Sequence, residues 1–339
     1  MMSAGEIRRI LEDPSRALLE DLAGRAARLT RQYFGRAVSL YAPLYLSNYC
    51  ENRCLYCGFH QGRGIRRQKL DRDGMRREMG AVAAMGIRSI LLLTGESRVH
   101  TPPEYIRGAV EEARAFFPAI AVEIYPLEED EYRDLVAAGV DGVTLYQETF
   151  ARDRYARVHP EGRKADYDWR LDAPRRMAKA GIRTIQLGAL MGLWDPAEDA
   201  AALFSYLHDM EKHFPGVEYS LSFPRIVPVN ASLDYFPVSD EGLVKLLALA
   251  RLEFPRVGIS LSTRERARMR DHALEIAVTR LSAASRTTVG GYGDAVAAAE
   301  EDAGDAGQFE VRDSRSVAEI VAMLRERGFD PVFTDWRRF

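Results

Sequence analysis

Short apolar runs alternate with longer amphipathic ones along almost the whole chain. Residues 38–48, 89–94, 120–125, 142–147, 183–190, 218–223, 257–262 and 279–285 are short and rich in apolar residues. Between them, 71–86, 103–117, 128–138, 168–180, 196–214 and 239–254 carry apolar positions at helical spacing, and a last helix falls before 279. Near-continuous apolar strands are those of a parallel sheet covered on both faces. Eight such strands, spaced by helices, predict a closed (β/α)8 TIM-type barrel in the α/β class. An open doubly wound sheet is the alternative, but no glycine-rich phosphate loop follows the first strand. Pro43 predicts that this strand is short or irregular. Ahead of it, Leu18, Leu19, Leu22, Ala26 and Leu29 predict a helix over 5–35, ending at Gly35, as a lid or packing helix.

Past the last strand, 294–307 is small and acidic and reads as a surface linker. A helix over 316–327 and the run Pro331-Val-Phe-Thr-Asp-Trp336 read as a cap over one barrel end. The expected organisation is a helical segment 1–36, a barrel 37–290 and a C-terminal extension 291–339. The 339 residues carry a net charge of −3, so no nucleic-acid footprint or membrane-surface patch is expected. No apolar run approaches the roughly 18 residues that span a bilayer. The charged N-terminus lacks the apolar core of a secretory signal, so a soluble cytoplasmic protein is expected.

All three cysteines lie in Cys50-Glu-Asn-Arg-Cys54-Leu-Tyr-Cys57. An odd count in a chain of this size argues against a disulfide framework and fits a reducing compartment. Three thiolates on one loop can bind three irons of a cubane [4Fe–4S] cluster and leave the fourth iron open. That open iron is what chelation and cleavage of S-adenosylmethionine require. Two plainer readings stand beside it. His60 can complete a four-ligand zinc site, or the thiols can be inert.

The spacing resembles the radical SAM superfamily. The wider string Tyr45-Leu-Ser-Asn-Tyr-Cys-Glu-Asn-Arg-Cys-Leu-Tyr-Cys-Gly-Phe59 resembles its tyrosine lyase family, 2-iminoacetate synthase or ThiH. HydG shares much of that string, but it carries a further C-terminal domain with a second cluster, and this chain has no cysteine after Cys57. Ser220-Leu-Ser-Phe-Pro-Arg225, Ser260-Leu-Ser-Thr-Arg-Glu265 and Ser285-Arg-Thr-Thr-Val-Gly-Gly-Tyr292 extend the resemblance. Together with Gln308-Phe309 and Asp335-Trp336 it covers roughly residues 25–336.

The resemblance implies a [4Fe–4S] cluster on Cys50, Cys54 and Cys57 with S-adenosyl-L-methionine bound to it. Cofactor contacts are expected from Tyr56, Gly95, Glu96, Glu123, Glu148 and Arg170. Glu96 would hold the methionine amino group, and Arg170 its carboxylate. Gly188 would make room inside the barrel. Arg264 is favoured for the carboxylate of an amino-acid substrate, with Ser262 and Thr263 as hydroxyl donors and Arg225 as the other candidate. The plain alternatives are an ion-paired core carboxylate for Glu123, a helix-surface salt bridge for Arg170, and a rim pair with Glu265 for Arg264. The activity implied is cleavage of the Cα–Cβ bond of L-tyrosine to 2-iminoacetate and p-cresol for the thiazole of thiamine. Another aromatic amino acid such as tryptophan, or a non-catalytic iron–sulfur scaffold, are the alternatives. A thiazole synthase (ThiG) partner and a flavodoxin or ferredoxin-type electron donor go with it.

Overall fold

The computed structural model describes residues 2–227, 233–293 and 307–334. Helices α1 (Ala4–Glu12) and α2 (Arg16–Phe34) come first. Strands β1 (Ala37–Ser47), β2 (Ser89–Thr94), β3 (Ala119–Glu123), β4 (Gly142–Glu148), β5 (Thr184–Ala189), β6 (Glu218–Ser222), β7 (Gly258–Leu261) and β8 (Arg280–Ser282) follow. Each pairs in parallel with the next, and β1 pairs with both β2 and β8, which closes the barrel. Around it run α3 (Arg72–Ala84), α4 (Pro103–Ala113), α5 (Glu129–Ala138), α6 (Arg152–Val158), α7 (Tyr167–Lys179), α8 (Pro196–His213), α9 (Asp240–Glu253) and α10 (Ala267–Leu274). All eight expected strands are present. The α6 helix and the 3-10 turn at Arg163–Ala165 are additions that the sequence pattern did not announce.

Side-chain alternation builds two cores from each strand. Ile90, Leu92, Ile120 and Val122 face the helices, while Leu91, Leu93 and Ala121 face inward with Tyr41, Tyr45 and Phe59. Burying one such aliphatic side chain contributes roughly 1.5–3 kcal/mol, so the outer core supplies most of the barrel's stability. The inner wall across from β1 and β2 is polar. There Gln186 donates to the Tyr146 hydroxyl at 3.2 Å, and Ser220 donates to Gln186 at 3.3 Å.

The expected helix over 5–35 is two helices. Pro14 disfavours helical backbone at Asp13, and Ser15 then caps α2 by accepting from the Leu18 N–H at 3.2 Å. Both pack on the outer wall. Arg8 pairs with Asp195 at 3.1 Å, and Lys245 donates to the Leu11 carbonyl at 3.2 Å. They are packing helices, and Leu19 of α2 reaches the rim of a cleft described below.

The C-terminal region touches both barrel ends. Gln308 accepts from the Tyr45 hydroxyl at 2.6 Å, and the Arg312 N–H donates to the Thr263 carbonyl at 2.9 Å, at the C-terminal ends of the strands. Helix α11 (Val317–Glu326) then leads to β9 (Asp330–Val332), which pairs with Ala37–Ser39 at the start of β1. The acidic stretch 294–306 and Asp335-Trp336 lie outside the described residues. Among those described, no helix is long and apolar enough to cross a membrane.

Candidate active site

The cysteine loop leaves β1 and crosses the C-terminal mouth of the barrel. It is pinned by backbone bonds from Gly95 N–H to Ser47 O at 2.9 Å and from Glu51 N–H to Glu96 O at 3.0 Å. A Cβ on Gly95 would lie 2.2 Å from the Tyr49 carbonyl oxygen, so only glycine lets β2 pass under the loop. Arg67 ties the far side by donating to the Phe59 and His60 carbonyls, both at 2.8 Å. Gly58 packs against the Gln308 carbonyl, where a Cβ would stand 2.7 Å away.

The three thiols are free; Cys54 is buried, and Cys50 and Cys57 are half-buried. Burial raises all three pKa values, Cys50 to about 11, and Cys57 further raises Cys50 and Cys54. Ionising them together needs a metal charge among them, because bound metal deprotonates a thiol outright. His60 turns away to accept from the Gly62 N–H at 3.1 Å. Among the described residues no three such donors converge on one point as ligands of a single ion. A cubane takes each thiolate on a separate iron, so the donor set fits a cluster with an open iron.

Beside the loop lies a set of four charges, Arg170 and Glu148 buried and Glu96 and Lys164 half-buried. Arg170, on α7, pairs with Glu96 at 2.8 Å and donates from Nε to the Tyr146 carbonyl at 2.7 Å. Lys164, on the turn before α7, pairs with Glu148 at 2.7 Å and lies 3.7 Å from Glu96. Arg170 and Glu148 are 3.7 Å apart. Burial opposes the charge on Glu96, but Arg170 and Lys164, with hydrogen bonds from Arg170 and Asn52, hold its pKa below the usual value. Burial and Arg170 likewise oppose Lys164, and Glu148 and Glu96 hold it protonated. Glu148 sits at φ 71°, a left-handed conformation that costs a non-glycine residue about 1–3 kcal/mol. The strand bulges there, between Tyr146 and Glu148, where the chain turns out of the sheet. The pocket lined by Glu96, Lys164 and Arg170 holds only about 20 Å³, so the four charges close on one another.

Asn52 joins loop to cluster, donating to Glu96 at 2.8 Å and accepting from the Lys164 N–H at 3.0 Å. Gly162 makes that approach possible, since its φ is +94° and a Cβ would lie 2.1 Å from the Asn52 oxygen. Tyr56 donates to His159 Nε2 over 2.7 Å, because His159 Nδ1 is engaged with the Tyr155 carbonyl at 2.8 Å. Lys164 and Asn52 are the members that sequence reasoning missed. The one trace of Lys164 was a glycine followed by two cations shortly before α7, and that of Asn52 its place inside the cysteine loop.

Across the mouth the remaining expected residues are arranged differently. Arg225 is held by Glu265, with Nε at 2.8 Å, and by Asp240 at 2.8 Å. The rim pair expected for Arg264 with Glu265 thus belongs to Arg225. Arg264 has no carboxylate partner among the described residues. Its guanidinium lies 3.9 Å from the Phe309 ring centre, and Nη1 is 3.5 Å from the Arg225 carbonyl. Ser262 Oγ accepts from the Arg264 N–H at 3.4 Å, and the buried Thr263 hydroxyl has no hydrogen-bond partner. Arg225 and Arg264 line a cleft of about 690 Å³ that opens to solvent. Glu123 ends β3 on the inward side and has no hydrogen-bond or ion-pair partner among the described residues. Gly188, expected to leave interior room, is covered by the Tyr146 ring, 2.6 Å from where a Cβ would stand.

The model of the Radical SAM superfamily matches residues 44–207, and that of the Biotin and Thiamin Synthesis associated domain matches 222–330. A 2-iminoacetate synthase of Salmonella typhimurium is 39% identical over 337 residues, covering 99% of this chain and 88% of that protein. The 2-iminoacetate synthase of Escherichia coli is 40% identical over 329 residues, 96% of this chain and 85% of that one. Among solved structures, HydG, a maturase of the [FeFe]-hydrogenase, superposes with a TM-score of 0.90 at 33% identity, over 98% of this chain and 73% of its own. Methylornithine synthase (PylB), at 19% identity and a TM-score of 0.78, shares the fold. A three-thiol loop on a closed (β/α)8 barrel and identity across nearly the whole chain lead to one conclusion: this chain belongs to the 2-iminoacetate synthase family of radical SAM enzymes.

Proposed function

We propose that this chain cleaves the Cα–Cβ bond of L-tyrosine to 2-iminoacetate and p-cresol, supplying the thiazole of thiamine. The observation that carries this reading is the 39–40% identity to two 2-iminoacetate synthases along nearly all of the chain. Its cofactors are a [4Fe–4S] cluster and S-adenosyl-L-methionine. When bound and reduced, they supply methionine and a 5′-deoxyadenosyl radical that takes a hydrogen atom from the substrate.

Cys50, Cys54 and Cys57 hold the cluster. Glu96 and Glu148 receive the cationic part of S-adenosylmethionine, and Arg170 receives its carboxylate as a bidentate fork. Their present mutual pairing means that binding exchanges partners within the set rather than filling an empty site. Tyr56, bonded to His159, and Gly95 support the loop that carries the cofactor. Arg264 takes the substrate carboxylate, with Ser262 and Thr263 beside it. Arg225, already neutralised, positions the rim through Glu265. Tyr45, Phe59 and the 307–313 segment close the mouth and keep water from the radical. We read 1–36 as a packing segment, 37–290 as the barrel and 291–339 as an extension. 2-Iminoacetate hydrolyses readily, so direct transfer to a thiazole synthase (ThiG) suits the chemistry, with a flavodoxin or ferredoxin-type protein as electron donor.

The test is anaerobic. Reconstituted protein is given S-adenosylmethionine, a strong reductant and L-tyrosine. The expected products are 5′-deoxyadenosine, p-cresol and glyoxylate from hydrolysis of the imine. Deoxyadenosine without p-cresol sends the assignment to another amino acid. No deoxyadenosine from protein with an intact cluster overturns it.

A further inference from the structure

Glu123 is the last residue of β3. Alternation sends Ile120 and Val122 outward and Ala121 and Glu123 into the barrel. Among the described residues Glu123 has neither a hydrogen bond nor an ion pair. A half-buried carboxylate without a partner is costly, and proteins keep one where a ligand supplies the partner. Arg264, in the turn after β7, likewise has no carboxylate partner among the described residues; its guanidinium rests on the Phe309 ring and reaches the Arg225 carbonyl at 3.5 Å. The two face one interior without pairing with each other. The titratable neighbours of Glu123 are the charged Glu148 on β4, Lys164, Arg170 on α7 and Arg264, and the neutral phenols of Tyr146 on β4 and Tyr45 on β1. Lys164 and Arg170 are already committed to Glu148 and Glu96.

One carboxylate and one guanidinium therefore stay open, and an α-amino acid carries the complementary pair. We propose that Glu123 seats the α-ammonium of the substrate opposite Arg264 and accepts one of its protons. Resting on the tyrosine lyase reading, this deepens it and moves Glu123 from the cofactor to the substrate. The step balances as a proton transfer. An ammonium N–H bond breaks, a carboxyl O–H bond forms, and the nitrogen keeps the electron pair as a neutral amine. No oxidant or reductant enters. Burial, and then Glu148, raise the Glu123 pKa to about 7, which brings it closer to that of an α-ammonium and makes the transfer less uphill than to an ordinary carboxylate.

The test uses the cluster-loaded protein with S-adenosylmethionine and no reductant, so nothing turns over. L-Tyrosine and 3-(4-hydroxyphenyl)propanoate, which lacks the amino group, are titrated separately. Wild type is expected to prefer tyrosine by about 100-fold at pH 8, and by about tenfold less at pH 6 as Glu123 protonates. Glu123→Gln is expected to lose most of that preference while its S-adenosylmethionine affinity stays within about twofold. An equal fall in S-adenosylmethionine affinity returns Glu123 to the cofactor and overturns the proposal, as does an undiminished preference. Should Glu123→Gln not fold, the wild-type series decides, and a preference flat from pH 6 to 8 contradicts the proposal. Wild type that binds no tyrosine and makes no p-cresol overturns the lyase reading instead.

Discussion

Two sets of charges share the C-terminal mouth of the barrel and are built on opposite principles. Glu96, Arg170, Lys164 and Glu148, two of them buried and two half-buried, are satisfied by one another. Glu123 and Arg264 face the interior without ionic partners among the described residues. In the function proposed, the first set is structure until S-adenosylmethionine trades into it. The second has no structural reason to be charged at all. Even a half-buried charge with no partner costs more than an apolar residue of the same shape, so its presence points to a ligand. The difference separates a site that must reorganise from one that waits open.

Substitutions sharpen this contrast when stability is measured by denaturant midpoints. The largest loss is expected for Arg170→Met. It strands Glu96 and leaves Lys164 alone between two carboxylates, at a cost of about 3–5 kcal/mol. Gly95→Ala comes next, because its Cβ meets a backbone carbonyl that cannot swing away. About 1–3 kcal/mol is expected, together with reduced iron per chain on reconstitution. Lys164→Met leaves Arg170 in place and should cost about 1–2 kcal/mol. Arg264→Met should be within about 1 kcal/mol of wild type, or more stable, since it breaks no ion pair. A loss as large as that of Arg170→Met would show that the open set is structural and erase the comparison.

The two sets also oppose each other in pH. The pKa of Glu96 is lowered on folding, so its contribution is present above the usual 4.5 and lost as pH falls through its folded value. That of Glu123 is raised to about 7, so its ionisation disfavours the folded state increasingly from pH 4.5 to 7 and by a constant amount above. Glu123→Gln should therefore gain stability relative to wild type at pH 8 but not at pH 4. Equal differences at both values would place Glu123 in a solvated or paired setting.

Much of this was legible in the sequence. The eight strands were, because a parallel strand buried on both faces leaves a short apolar run with little else to resemble. The cysteine loop and Arg264 were, through spacing and the strand-end motif Ser260-Leu-Ser-Thr-Arg-Glu265. Lys164 was not. It lies on a polar 3-10 turn after a short polar helix, and neither has an apolar period to detect. Nor was the partner of Glu265. The sequence offers its neighbour Arg264, but the turn after β7 aims it at Arg225, 40 residues back. Gly188 was legible as a place where something comes close to the backbone, but not that the Tyr146 ring of the adjacent strand is what fills it. Adjacency in sequence says little about which charges meet across a barrel mouth.

The most direct test of the division is a pair of isotherms on cluster-loaded Arg264→Met without reductant, one for S-adenosylmethionine and one for L-tyrosine. The account predicts tyrosine affinity lower by about 30-fold or more, as for loss of one partner of a buried charged pair, with S-adenosylmethionine affinity unchanged. Loss of S-adenosylmethionine affinity with tyrosine affinity intact would contradict it and place Arg264 in the cofactor site.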